Sequence, residues 1–368
     1  MFKKIGIAVC SALLVLTISM VPSAAAEEEK KLNIYFWFEY LPVSVVKSFE
    51  KETGIKVVVD TFETLDILET KLLAGKSGYD IVIPDYIVAE RLLPLGVLKK
   101  LDKSKFSNYG NLNPTILATL ATQDKGNDYG VPYMWGTTGI AFNDAMVRKR
   151  LPDTDLRSWD LLFKPENISK LSDCGVAILD AWAEVIPIAL NYLGLDPHSV
   201  KKADLKKAEE LLMSVRPYIR HFNSGAIIEE LATGELCLAV TYNGDGGLAS
   251  VRADELKNGV FVDYSIPKEA TISWADFLSI PADAPHPENA HKFLDFLMRP
   301  EQIAKASNEF FYANGNTAAL AYVNDEVKGD PDIYQPKEVM EKLFPAANPS
   351  NKDRRRYTRL WTKIKASK

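Results

Sequence analysis

The stretch LNIYFWFEYLPVSVVKSFEKETGIKVVVD at residues 32–60 switches between two periodicities, and that switching decides the fold class. Residues 32–37 are apolar and aromatic, as a buried strand requires. Residues 43–52 place apolar side chains at helical spacing, Gly54 stops them, and residues 55–60 return to strand character. Working outward, a second helix pattern covers 65–74, and DIVI at 80–83 is a short strand closed by Pro84. This βαβαβ rhythm predicts an α/β fold with a mostly parallel sheet flanked by helices. Ligands of such sheets sit beyond the carboxyl ends of the strands, which directs attention to residues 37–40 and 84–87.

The segment VPYMWGTTGIAFN at 131–143 is long, apolar and partly β-branched, with Gly136 and Gly139 interrupting it. A strand leaving one lobe and entering another has this character. A second α/β rhythm follows between about 150 and 270. It comprises strands at 175–179 and 236–242, a helix at 183–193 ended by Gly194, and a charged helix near 203–214. SWADFLSIP at 273–281 is a further strand leading into a helix at 288–298, and the closing KDRRRYTRLWTKIKASK is a basic amphipathic helix expected to pack on the second lobe. With no repeat, low-complexity tract or long linker, we expect two lobes joined by crossing strands. The first holds residues 27–135 and about 274–320, and the second holds 136–273 and about 321–368.

The chain opens with Lys3 and Lys4, an apolar run from Ile5 to Val21, and small residues at Ala24, Ala25 and Ala26. This is the pattern of an export signal cleaved after Ala26, and the run is too short for a membrane anchor. Cys10 follows too few apolar residues to be a lipoprotein cysteine. Losing residues 1–26 takes the formal charge from -5 to -7. An acidic surface disfavours nucleic acid, whose phosphates call for a basic face, and suits a small cation. Cys174 and Cys237 are the remaining cysteines, read as a structural disulfide in an oxidising compartment, with two free buried thiols as the rival reading. The four histidines show no metal-ligand spacing with either cysteine, and no metal or cofactor is expected.

Catalytic motifs are missing. GKS at 75–77 has Thr70 where a phosphate-binding loop needs glycine, NGDGG at 243–247 lacks dinucleotide spacing, and neither a serine elbow nor HExxH occurs. What stands out instead is aromatic residues beside acids at strand ends: Trp37 with Glu39 and Tyr40, Asp85 with Tyr86, Trp182 with Glu184, Tyr242 with Asp245, and Trp274 with Asp276. Separated carboxylates and aromatic faces are what a flexible diammonium or triammonium ion needs, each cation-π contact contributing about 0.5 to 2 kcal/mol.

These residues lie within longer strings: IYFW, FEKETGIKVV, VPYMWGTTGI, SWD, KPENISKL, LNYLG, SIPKEA, IPADA, FYANGN and RLWTKIK. In that content the chain resembles the periplasmic putrescine- and spermidine-binding proteins of ABC importers from about residue 32 to its end, more closely the putrescine branch. The resemblance implies the two-lobed periplasmic solute-binding fold of type II, each lobe a mixed, mostly parallel sheet flanked by helices, joined by crossing hinge strands. It implies that Trp37 and Tyr40 lie on the first lobe's ligand face and that Glu39 stands where the family has an amine-binding aspartate. Glu184 matches an acid of the second lobe, Asp245 and Asp276 match two amine-binding aspartates, and Tyr312 matches a tyrosine of the pocket wall. Trp274 sits where one branch has phenylalanine and the other tryptophan. The chain departs from the pattern at Phe38 and Asp85, both in place of serine, at Glu39 in place of aspartate, and at Tyr242 in place of tryptophan.

The implied function is extracytoplasmic capture of putrescine or spermidine and delivery to the permease of an ABC importer. The expected protein is a periplasmic monomer and not an enzyme. Two other readings keep the same lobes: a sensor presenting its closed form to a membrane receptor, and an exported enzyme acting on a cationic substrate. Four or five carboxylates in one cleft repel, each pair at ~8 Å by about 2 kcal/mol at an effective dielectric near 20. A polycation removes that repulsion on closure, so ligand and closed state favour each other.

Overall fold

A computed structural model describes residues 28–367; the expected signal segment 1–26, with Cys10, lies outside them. Nine strands follow in chain order: β1 (Lys31–Trp37), β2 (Lys56–Phe62), β3 (Ile81–Val82), β4 (Gly130–Asn143), β5 (Val176–Ile178), β6 (Leu238–Tyr242), β7 (Val262–Ser265), β8 (Ser273–Ser279) and β9 (Ala313–Asn314). They pair in the order β2-β1-β3-β8-β4-β6-β5, with β7 and β9 also on β4. In the first half β1 runs parallel to β2 and β3, while β8 is antiparallel to β3 and β4. In the second half β5 and β6 are parallel, and β6 and β7 run antiparallel to β4.

The long apolar segment is the shared member. Residues 130–137 of β4 pair with β8 in the first half, and residues 138–143 pair with β6 and β7 in the second. All fourteen residues of β4 are buried, because helices and neighbouring strands cover it on both sides. At Gly136, next to the changeover, a Cβ would collide with the Asn243 side chain and the Trp274 ring, so no side chain fits there.

Each half has its own core. In the first, Leu32, Ile34 and Phe36 of β1 are fully buried, and Phe49 of helix Val43–Thr53 packs edge-on against Phe293 and Phe296 of helix Pro287–Leu297 at 5.0 and 5.4 Å. Gly54, in the left-handed region at φ 69°, ends the first of these helices as its spacing predicts. In the second half a disulfide joins Cys174 to Cys237, Cα atoms 5.5 Å apart, tying the approaches to the neighbouring strands β5 and β6.

The closing helix, Asn351–Ala366, lies on the second half: Tyr357 donates to the Ser199 carbonyl at 2.7 Å and Trp361 Nε1 to Asp180 at 2.6 Å. Its basic face is partly engaged elsewhere. Arg354 reaches the first half, pairing with Asp66 at 2.6 Å and Glu69 at 3.1 Å on helix Leu65–Ala74.

Candidate functional site

The first half contributes two acids to the space between the lobes. Asp85 follows β3 and Pro84 and caps helix Tyr86–Leu92, its carboxylate accepting from Val88 N at 2.6 Å. Asp276 lies on β8, directly opposite Asp85 across an isolated antiparallel bridge. Directly opposed residues of an antiparallel pair point to the same face, so the two carboxyls are neighbours. They are 8% and 6% exposed.

The second half contributes two more acids, each in the first turn of a helix that follows a strand. Glu184 opens helix Trp182–Tyr192 after β5, and Asp245 opens helix Asn243–Leu256 after β6. Thr138 and Tyr242 donate to Glu184, the tyrosine at 3.2 Å. Thr241 and Tyr312 donate to Asp245 at 2.5 and 3.0 Å.

Burial pushes all four carboxyls upward. Asp85 is raised to about 6 despite its helix-capping bond. Glu184 is raised to about 7 by burial, with further upward pressure from the charges of Asp85 and Asp245. Asp276 stands well above the ordinary carboxylate range because it is desolvated and faces Asp85. Asp245 is raised by burial as well, against the pull of its two hydroxyl donors. The physical content is uniform: an uncompensated negative charge is costly here.

Aromatic rings wall the space between these acids. Trp274 packs edge-on with Tyr242 at 5.5 Å and with Tyr312 at 5.2 Å, and Tyr312 packs with Tyr40 at 5.4 Å. The Trp274 indole N–H, buried in this wall, has no protein partner, and the Tyr40 hydroxyl faces the Asp276 carboxyl. Buried donors without partners are uncommon and point to a group supplied from outside. Among the described residues, no three His, Cys, Asp or Glu side chains have a metal-holding arrangement.

The remaining sequence candidates are placed differently. Trp37 packs against Phe62 at 4.4 Å with the rings tilted, and Phe38 is 68% exposed. Trp182 packs against Tyr357 of the closing helix at 5.8 Å. Glu39 sits in the left-handed region at φ 50°, just beyond β1, and both its oxygens bind the Arg252 guanidinium at 2.7 Å. Arg252 belongs to helix Asn243–Leu256 and also binds Glu229, so a chain of charge crosses from one lobe to the other.

Sequence reading did not single out Arg252, Thr138 or Thr241. The available sign for the threonines was a hydroxyl inside an otherwise apolar, buried strand, which needs a partner. Arg252 carries no such sign, because its partner lies 213 positions away.

The chain matches the model of the bacterial extracellular solute-binding protein family across residues 44–335. It is 44% identical over 371 residues to the putrescine-binding periplasmic protein of Pseudomonas aeruginosa (strain UCBPP-PA14), with 100% of both chains covered. It is 32% identical over 320 residues to the spermidine/putrescine-binding periplasmic protein of Escherichia coli (strain K12), covering 87% of each. Among solved structures, the spermidine/putrescine ABC transporter substrate-binding protein of Streptococcus pneumoniae superposes with a TM-score of 0.75 at 28% identity, covering 92% of this chain and 99% of that one.

Proposed function

The chain belongs to the bacterial extracellular solute-binding proteins, and we propose that it captures a polyamine, putrescine or spermidine, between its lobes in the periplasm and delivers it to an ABC importer. The observation that carries this reading is the buried set Asp85, Glu184, Asp245 and Asp276, drawn from both halves and walled by Tyr40, Tyr242, Trp274 and Tyr312. Carboxylates serve the ammonium groups and the rings cover the methylenes between them.

Capture proceeds by closure. The hinge is β4 together with the segment joining β7 to β8, and the lobes comprise residues 27–135 with about 274–320, and 136–273 with about 321–368. In the ligand-free protein, ionised carboxylates favour the open, hydrated form. A ligand that touches acids on both lobes binds the closed form preferentially and shifts the population towards it. Segment 1–26 directs export and is removed, and the mature protein acts as a monomer before the membrane permease.

The test is calorimetric titration of the mature protein, freed of ligand by unfolding and refolding, with putrescine, spermidine, agmatine and arginine. Micromolar or tighter binding of a polyamine, about 8 kcal/mol or more, is expected. No heat with any polyamine, at either low or moderate salt, would refute the reading.

A further inference from the structure

Resting on the polyamine reading above, we propose that this cleft is built for a triamine in preference to a diamine, and that Asp85 is the residue that sets the preference.

The first ground is charge. Asp85, Glu184, Asp245 and Asp276 form a mutually repelling set in which Glu184 feels both Asp85 and Asp245, and Asp276 feels Asp85 and Glu184. Among the described residues, none of the four is in an ion pair. The two guanidiniums that approach this region are already engaged. Arg91 is held by Glu69 at 2.8 Å and also donates to the Ile87 carbonyl and to Asn348. Arg252 is held by Glu39 and Glu229, which also takes Glu39 out of the count. Four carboxyls therefore await external cations. A diamine brings two positive charges and a triamine brings three.

The second ground is the geometry of the Asp85–Asp276 pair. The two are directly opposed on one sheet face, both buried, with one Asp85 oxygen facing the Val88 amide. Two such carboxyls cannot both ionise beside a single ammonium without leaving one charge unbalanced, so with a diamine the pair keeps a proton between them. A second ammonium at this end lets both ionise. Asp276, held higher than Asp85, is the member that keeps this proton, and the Asp85 charge opposite it is what makes its ionisation conditional on a second ammonium. Other groups near this corner are the Tyr40 hydroxyl, which faces Asp276, and the Tyr86 hydroxyl, which donates to the Ser273 carbonyl at 3.4 Å. Neither supplies a cation.

The discriminating variant is Asp85→Asn. It keeps an oxygen for the Val88 amide and so preserves the start of the helix while removing the charge. Asp85→Ser, also a good helix cap, serves as the second variant should the first misfold by circular dichroism. Putrescine and spermidine are titrated into each form at pH 7.5, in two buffers of different ionisation enthalpy so that released protons are counted. Wild-type protein is expected to bind spermidine more tightly than putrescine and to release more protons with spermidine. The substitution should weaken spermidine by ~10-fold or more and putrescine by less than about 3-fold, and should abolish the difference in proton release. Equal losses for the two ligands, or a wild-type preference for putrescine, would overturn the assignment while leaving the polyamine reading intact. Absence of binding by either ligand to wild-type protein would instead remove the reading on which it rests.

Discussion

Lowering the pH from 8 to 5 should weaken polyamine binding steeply while stabilising the ligand-free protein. Burial holds Glu184 at about 7 and Asp85 at about 6, with Asp276 higher than an ordinary aspartate. The amines of the ligand stay protonated throughout this range, so the change belongs to the protein. At pH 5 about one Glu184 in a hundred and about one Asp85 in ten are ionised, so a ligand needing both loses ~100- to ~1000-fold in affinity relative to pH 8. The sign for the empty protein is opposite. A carboxyl whose folded value lies above its unfolded one favours folding while protonated, and that contribution is lost as pH rises through the folded value. Between about pH 4 and 7 this amounts to roughly 3 kcal/mol for Glu184, so its share of stability falls on going from pH 5 to pH 8. Calorimetric titration at pH 8, 7, 6 and 5, paired with thermal melts with and without ligand, reads both effects. The upward shift in Tm on adding polyamine should be large at pH 8 and small at pH 5, and Glu184→Gln should flatten the profile. Affinity that stays within threefold between pH 8 and pH 5 would refute the account of the site.

The ion pair between Glu39 and Arg252 crosses the lobes and is half-exposed, so Arg252→Ala should speed ligand release and weaken affinity by ~5-fold, about 1 kcal/mol, with the larger effect at low salt. Stopped-flow release rates check this, and an unchanged rate would show that the pair forms independently of closure. Asp245→Asn and Asp276→Asn should each weaken binding by ~100-fold or more, about 3 kcal/mol, while circular dichroism stays native, because each leaves a ligand ammonium buried without its charged partner. Unchanged affinity in both would mean that the ligand lies elsewhere. Replacing Cys174 and Cys237 together by serine should lower stability by about 2 to 4 kcal/mol in denaturant titration and leave affinity nearly unchanged, since the disulfide lies at the entry to β5 and β6 and away from the carboxylates. A large loss of affinity would place the disulfide in control of the second lobe's acids.

Much of the architecture was legible because strands and helices are written in local periodicity. The patterns at 32–37, 43–52, 55–60 and 65–74 became β1, helix Val43–Thr53, β2 and helix Leu65–Ala74, and the apolar run at 131–143 became the strand shared by both halves. Asp85, Glu184 and Asp245 were legible as acids just past strands, where a chain turning into a helix exposes polar side chains at the sheet's carboxyl edge. The aromatic partners were less so. Tyr242 was read beside Asp245 and instead donates to Glu184, while Asp245 is served by Tyr312. Trp182 turns to the closing helix and Trp37 to Phe62.

By itself, then, the sequence determined the order of elements, the two-lobed α/β organisation with its crossing strand, and an unusual supply of acids and rings at strand ends, because each depends on residues a few positions apart. Only the tertiary structure decided that Glu39 is bound by Arg252, that Arg354 ties the closing helix to the first lobe, and that Asp85 and Asp276 oppose each other on one face. Whether a carboxylate is free, paired or forced to hold a proton depends on the charges and solvent within a few ångströms of it, and folding brings those from segments far apart in the chain.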